Sequence, residues 1–171
     1  MGDDAVVRVA VLADTHVRGG IDRLPVPVVD RLAGVDVILH AGDVVSPELL
    51  AGLADLAPTH TVLGNNDHEL VGLLPDRLEL RIGGVAVAMV HDSGARVGRP
   101  ARMRRWFPEA QLVVFGHSHD PVNEVGVEGQ WLFNPGSPTQ RRRQPFPTMG
   151  TLELAGGRII SHRVDRVDAP G

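Results

Sequence analysis

The segment Val6-Val7-Arg8-Val9-Ala10-Val11-Leu12-Ala13-Asp14-Thr15-His16 carries the first strong signal in the chain. Val6 to Leu12 is apolar except at Arg8 and rich in β-branched valine, so it reads as a buried strand. It runs out onto Asp14 and His16, two side chains able to hold a metal. The arrangement recurs downstream. Val35 to Leu39 leads into Gly42-Asp43, and Thr61 to Leu63 into Gly64-Asn65-Asn66-Asp67. Val85 to Val90 leads into His91-Asp92, and Leu112 to Phe115 into Gly116-His117-Ser118-His119. Helix-like segments separate the first strands. These are Leu24 to Leu32 and Pro47 to Leu56, the second with Ser46 as N-cap and Pro47 at the first helical position. Strands alternating with helices predict an α/β fold with a parallel sheet. Ligands of such sheets gather beyond the carboxyl ends of the strands, so strands lying side by side in one direction bring all five groups together.

The later chain reads differently. Arg77 to Ile82 and Val85 to Val90, joined by Gly83-Gly84, form a hairpin pattern. A third helix is expected from Pro100 to Phe107, with Met103, Trp106 and Phe107 on one side and Arg99, Arg102 and Arg105 on another. Val122 to Val127, Gln130 to Phe133, Thr148 to Leu154 and Arg158 to Val164 read as antiparallel strands, and Asp165 to Gly171 as a loose tail.

Composition narrows the chemistry. The chain has 171 residues, 43% of them apolar, enough for one domain with a sizeable core. It has no Cys, which excludes disulfides, thiolate zinc sites and cysteine nucleophiles. It has no Lys either, which excludes Schiff-base chemistry and a P-loop lysine. The net charge is −4 and aromatics are few, so nucleic acid enters only as a substrate. The acidic start Met1-Gly2-Asp3-Asp4 differs from a basic signal peptide, no apolar stretch is long enough to span a bilayer, and a cytoplasmic protein is expected.

In an extended segment, residues two apart point the same way, so Asp14 with His16, and His117 with His119, are each expected to present two ligands together. With Asp43, Asn65 and His91 they make seven candidate ligands, too many for one structural zinc and suited to two ions sharing a carboxylate. Imidazole and carboxylate without thiolate suit Mn²⁺, Fe, Zn²⁺ or Ni²⁺. His40 reads as packed rather than ligating, and His60 and His162 as structural or exposed. Arg141-Arg142-Arg143 is a solvated loop or a phosphate clamp. A Ser-His-Asp relay from His91-Asp92-Ser93 is excluded, because neighbours on a strand face opposite ways and no Gly-x-Ser-x-Gly turn exists.

Asp14-x-His16, Gly42-Asp43, Gly64-Asn65, His91 and Gly116-His117-x-His119 follow, in order, the signature of the calcineurin-like metallophosphoesterases, which the chain resembles from Val6 to about Val164. Gly64-Asn65-Asn66-Asp67 and Asn134-Pro135-Gly136-Ser137 resemble its small bacterial and archaeal phosphodiesterase branch, to which the retromer subunit of eukaryotes is related. The resemblance implies a four-layer α/β sandwich of two mixed β-sheets flanked by helices, in a single domain over 1–171. It implies two divalent ions, manganese foremost and iron, zinc, nickel or magnesium as alternatives. Asp14, His16, Asp43 and His119 then hold one, and Asp43, Asn65, His91 and His117 the other, with Asp43 bridging. Asp43, Asn65 and His119 are the implied catalytic residues, and a bridging hydroxide the attacking group on a small phosphoester, a diester foremost. The alternatives are a phosphomonoesterase or a non-catalytic scaffold of the same fold, and a homo-oligomer fits either. Two positions depart from the family. Asn66 stands where a proton-donating His is common, with Asp67 and His68 nearby as other donors, and Asp92 stands where Gly is usual, either orienting His91 or idle on the surface.

Overall fold

The computed structural model describes residues 4–168. Ten strands form two five-stranded sheets. In the first, β1 (Val7–Leu12), β2 (Val37–His40) and β3 (Thr59–Thr61) run parallel, and β9 (Thr148–Ala155) and β10 (Arg158–Arg166) extend the sheet antiparallel from β1, in the order β10-β9-β1-β2-β3. In the second, β5 (Val85–Val90), β6 (Leu112–Val114) and β8 (Trp131–Asn134) run parallel, flanked by antiparallel β4 (Arg77–Ile82) and β7 (Val122–Val125), in the order β4-β5-β6-β8-β7. Three α-helices, α1 (Val26–Leu32), α2 (Pro47–Leu56) and α3 (Arg99–Trp106), flank the sheets. This is the four-layer sandwich expected.

Alternation along β1 explains why it reads apolar throughout. Val9 and Val11 face the second sheet and pack with Val87, Met89, Val114 and Phe133. Ala10 and Leu12 face outward and pack with Val28 and Leu32 of α1 and Leu49 and Leu53 of α2. The second sheet repeats the plan, with Ala88, Val113 and Leu132 against Met103 of α3 and Phe107. The sheets approach closely at Gly150, where a Cβ would lie 2.4 Å from the Phe133 ring. Ser46 caps α2 as expected, its hydroxyl oxygen accepting from Leu49 N at 3.1 Å.

Several expectations are corrected. The five ligand-bearing strands do not lie side by side, because three belong to one sheet and two to the other. Their carboxyl ends meet instead at one end of the sandwich. The third strand covers Thr59–Thr61 rather than Thr61 to Leu63, and α1 begins at Val26, where Pro25 stands as N-cap. β8 pairs antiparallel with β7, as read, but its other edge runs parallel to β6. Arg99 is not on an open polar face. It is buried against the Phe115 ring, its guanidinium carbon 5.0 Å from the ring centroid. The tail begins later than read: Asp165 and Arg166 pair with Met149 and Thr148 in β10, and Val167 is buried. Positions 169–171 of the expected tail lie outside the described residues. Among the described residues no helix is long and apolar enough to cross a membrane.

Candidate metal centre

The loops after β1 and β2 are laced together by backbone bonds. Asp14 N–H donates to Gly42 O at 2.9 Å, and His16 N–H to Asp43 O at 3.0 Å. This lacing needs left-handed backbone at Asp14 (φ 54°), His16 (φ 48°) and Asp43 (φ 59°), and the β6 loop repeats it at His117 (φ 71°) and His119 (φ 63°). Non-glycine residues in this region store of order 1–3 kcal/mol each, and such residues concentrate at functional sites. The presentation of Asp14 with His16 therefore comes from turns, not from strand alternation. His117 and His119 are not presented together: His119 goes to Asp14, and His117 to Asn65.

Asp14 is fully buried. Its Oδ2 accepts from His117 N at 2.9 Å, while Oδ1 lies 3.6 Å from His119 Nε2 and 3.9 Å from the Nε2 atoms of His16 and His91. Asp43 Oδ2 is 3.4 Å from both His16 Nε2 and His91 Nε2. Asn65 Oδ1 lies 2.9 Å from His91 Nε2 and 3.1 Å from His117 Nδ1. All seven candidate side chains thus converge.

The tautomers say what belongs between them. His91 Nδ1 faces Ala41 O at 2.7 Å, and His119 Nδ1 faces Gln140 O at 2.5 Å. A carbonyl only accepts, so each ring places an N–H there; His119 turns a bare Nε2 lone pair inward, while His91 Nε2 carries a proton toward Asp43 that a cation would displace. Inward lie carboxylate and amide oxygens, which also only accept. Asp14 Oδ1, His16 Nε2 and His119 Nε2 are buried without any hydrogen-bond partner. Lone pairs gathered without protons fit a cation, and imidazoles anchored on backbone carbonyls are the usual support of metal-bound histidine. Two triads satisfy the spacing, Asp14–His16–His119 and Asp14–Asp43–His91.

Burial raises the Asp14 carboxyl to about 7, against the opposing charge of His91. Burial acts the same way on Asp43, but hydrogen bonds from His91 and Asn66 outweigh it and hold that carboxyl well below the usual range. The two Asn66 bonds are N to Oδ1 at 2.8 Å and Nδ2 to Oδ2 at 2.9 Å. His40 is packed, as read. Gly42 N–H donates to its Nδ1, its Nε2 meets Thr15 Oγ1 at 3.0 Å, and burial lowers its pKa to about 3.

Asp67 is no proton donor to the site. It is buried, and its carboxylate accepts from the backbone N–H groups of Asp43 (2.9 Å), Val45 (2.6 Å) and Gly64 (2.7 Å), clasping the β2 and β3 loops. His68 is exposed. At Gly64 a Cβ would fall 2.2 Å from Asp43 N, so only glycine permits this clasp. Asp92 lies beside His117, not His91, its Oδ2 3.8 Å from His117 Nε2. Of the arginines, Arg141 lines a cleft beside His16, the Arg142 charge acts on Asp14, His16 and His119, and Arg143 is exposed. Ser137, named in the sequence only within the Asn134-Pro135-Gly136-Ser137 motif, and Thr139, which sequence reasoning missed, donate their hydroxyls to Asp14 O (2.8 Å) and Thr15 O (2.7 Å). Only the Gly64-x-x-Asp67 turn pattern offered a signal for Asp67, and Thr139 had none.

A two-sheet α/β sandwich whose strand ends converge on an Asp/His/Asn cluster defines the metallophosphoesterase class of proteins. The calcineurin-like phosphoesterase superfamily domain matches residues 7–157, and the chain belongs to that superfamily. A probable metallophosphoesterase of Methanothermobacter thermautotrophicus is 32% identical over 165 residues, 95% of this chain and 94% of the relative. Among solved structures, Vacuolar Protein Sorting 29 from Cryptosporidium parvum shares the fold with a TM-score of 0.76 at 19% identity, over 95% of this chain and 100% of that one. An archaeal phosphodiesterase does so with a TM-score of 0.71 at 22% identity, over 93% and 100%.

Proposed function

We propose that this chain hydrolyses phosphate esters, diesters in preference to monoesters, with two divalent cations held by the converging side chains. The observation that carries this reading is the set of three buried atoms without partners, Asp14 Oδ1, His16 Nε2 and His119 Nε2. Asp14, His16, Asp43 and His119 would hold one ion, and Asp43, Asn65, His91 and His117 the other. Asp43 would be the bridge, because its Oδ2 lies 3.4 Å from both His16 and His91, closer than Asp14 Oδ1 at 3.9 Å from each. Ions in such a pair supply Lewis acidity toward phosphoryl oxygens and a water of lowered pKa. The donor set of imidazole, carboxylate and amide with no thiolate suits manganese, iron, zinc or nickel, and the family resemblance puts manganese foremost.

The chain's own groups do the rest. His91 and His119 are oriented by their Nδ1–H bonds, and Asp43 is kept ionised by Asn66 and His91. Hydrolysis places a proton on the leaving oxygen. Asn66 has none to give, both its N–H contacts being spent on Asp43, so good leaving groups are favoured and nitrophenyl esters outrun alkyl esters. Diester preference is supported by the resemblance to the small phosphodiesterase branch and by the archaeal phosphodiesterase that shares the fold. The same reading keeps the chain as one cytoplasmic domain acting on a small phosphoester, alone or as a homo-oligomer. A scaffold role like that of the retromer relatives gives no reason to keep every ligand position filled. Metal-stripped protein assayed on bis(4-nitrophenyl) phosphate and on 4-nitrophenyl phosphate, each with Mn²⁺, Ni²⁺, Zn²⁺ or Mg²⁺, tests the proposal. Diester hydrolysis abolished by chelator and restored best by Mn²⁺ is expected, and no hydrolysis with any ion sinks it.

A further inference from the structure

The two flanks of the metal centre carry opposite charge. Beside His16 opens a cleft of about 450 Å³ whose walls include Arg23, Thr139 and Arg141 and no acidic residue. Beside His117 a second cleft of about 280 Å³ is lined by Asp76 and Asp92 and no arginine. We propose that the substrate carries a second phosphate, distinct from the one hydrolysed, and that this group seats in the cleft beside His16 against Arg23 and Arg141, with Arg142 next in the same loop. This rests on the phosphoesterase reading of the adjoining centre and deepens it to a substrate class: phosphodiesters with a phosphorylated arm, as in a nucleotide.

The cleft has the volume of a small-molecule site. Arg141 spends one N–H on Gln144 O at 2.6 Å and keeps the rest of its planar fork free. Arg23 meets only Asp22, on the surface and at 3.9 Å, too weakly to be satisfied. Arg142 is held in left-handed backbone (φ 53°) in the same loop, and its charge acts on Asp14, His16 and His119. Bidentate contact makes arginine the natural partner of a phosphate. A diester with two neutral arms gives these guanidinium groups nothing to do. Asp76 and Asp92 repel a second anion from the other flank, so the polarity is fixed: phosphorylated arm over Arg141, the other arm past Asp92.

The test compares thymidine 5′-(4-nitrophenyl phosphate) with the same ester carrying a 3′-phosphate, reading nitrophenol release. In parallel, calorimetry on Mn²⁺-loaded protein compares thymidine 5′-phosphate with thymidine 3′,5′-bisphosphate. The 3′-phosphate should raise kcat/KM and affinity by about tenfold or more, the scale of one charge-assisted contact. Arg141→Ala and Arg142→Ala should pull both ratios toward one, and Arg142→Glu below the alanine variant. Arg104→Ala, paired with Glu128 in a separate groove, should leave both ratios as in the wild type. Ratios near one in the wild type, ratios that survive all the loop variants, or failure of both nucleotides to bind overturn the proposal. A binding preference that persists while neither ester is hydrolysed keeps this proposal and overturns the phosphoesterase reading instead.

Discussion

The two halves of the candidate metal centre are built from the same kinds of side chain and are prepared differently. On the Asp14 side the donor atoms are buried and have no partners, and the surrounding backbone is pinned by Ser137, Thr139 and His40. On the Asn65 side the donors lean on one another through Asn65 Oδ1, and His117 is 45% exposed. The first half has paid its desolvation cost and gains partners only when a cation arrives. The second satisfies itself and must exchange those contacts for an ion. Tight and weak occupancy are the expected outcome, with Asp43 serving both.

The largest expected effect breaks both halves at once. Asp43→Ala should lower kcat by about a thousandfold or more, the several kcal/mol that metal stabilisation contributes, and metal analysis should find both ions depleted. A wild-type rate at full occupancy would remove Asp43 from the bridge.

Next comes the contrast itself. His119→Ala should empty the tight position, whereas His117→Ala should leave close to one ion per chain after gel filtration. Equal losses in the two variants would erase the distinction drawn between the halves.

Asp67 serves both halves from below. Replacing it with Ala strips the acceptor from three backbone N–H groups, which should cost about 3 kcal/mol in denaturant unfolding. It should also lower activity by roughly 10–100-fold, the range for residues that hold ligands in place. Unchanged stability would show that water takes over those N–H groups at no cost.

The effect most narrowly confined is a pH dependence in the buried half, with no change in activity at neutral pH. His40 has a folded pKa near 3 against 6.5 unfolded, so between these values the unfolded chain binds the additional proton. The stability is complete above pH 6.5 and is lost as the pH falls toward 3, by at most about 5 kcal/mol. In chelator, urea midpoints measured from pH 4 to 7 should fall toward acid more steeply for the wild type than for His40→Asn. Parallel curves would deny His40 a neutral, buried state.

How much of this was readable beforehand depended on whether the determinant was local. The ligand positions were legible because each follows its own apolar strand, as His91 follows Val85 to Val90. Which strands pair is decided by contacts far apart in sequence. The strand pattern alone therefore read as a parallel sheet followed by antiparallel strands, and the two mixed sheets followed only from the family resemblance. The left-handed backbone at Asp14, His16, Asp43, His117 and His119 had no local mark, since the residues that bear it are the ligands rather than glycines. Arg99 looked like a surface arginine because its partner, Phe115, lies in another element. Asp92 was matched to its neighbour in sequence rather than to His117 across the loop.

The position of β1 between β2 and β9 also sets an order in time. A nascent chain can pair β1 with β2 and β3 once residue 61 has left the ribosome, but the other edge of β1 waits for residues 148–155. At translation speeds of roughly 5–20 residues per second, that valine-rich edge stands open for about 5–20 s. Strand edges of this kind recruit other chains, so this interval, rather than the finished protein, is where aggregation would begin. Oxygen donors emerge before most of the imidazoles, Asp14, Asp43 and Asn65 preceding His91, His117 and His119. The last side chains to settle the β1 loop, Ser137 and Thr139, arrive just before the strand that closes the edge.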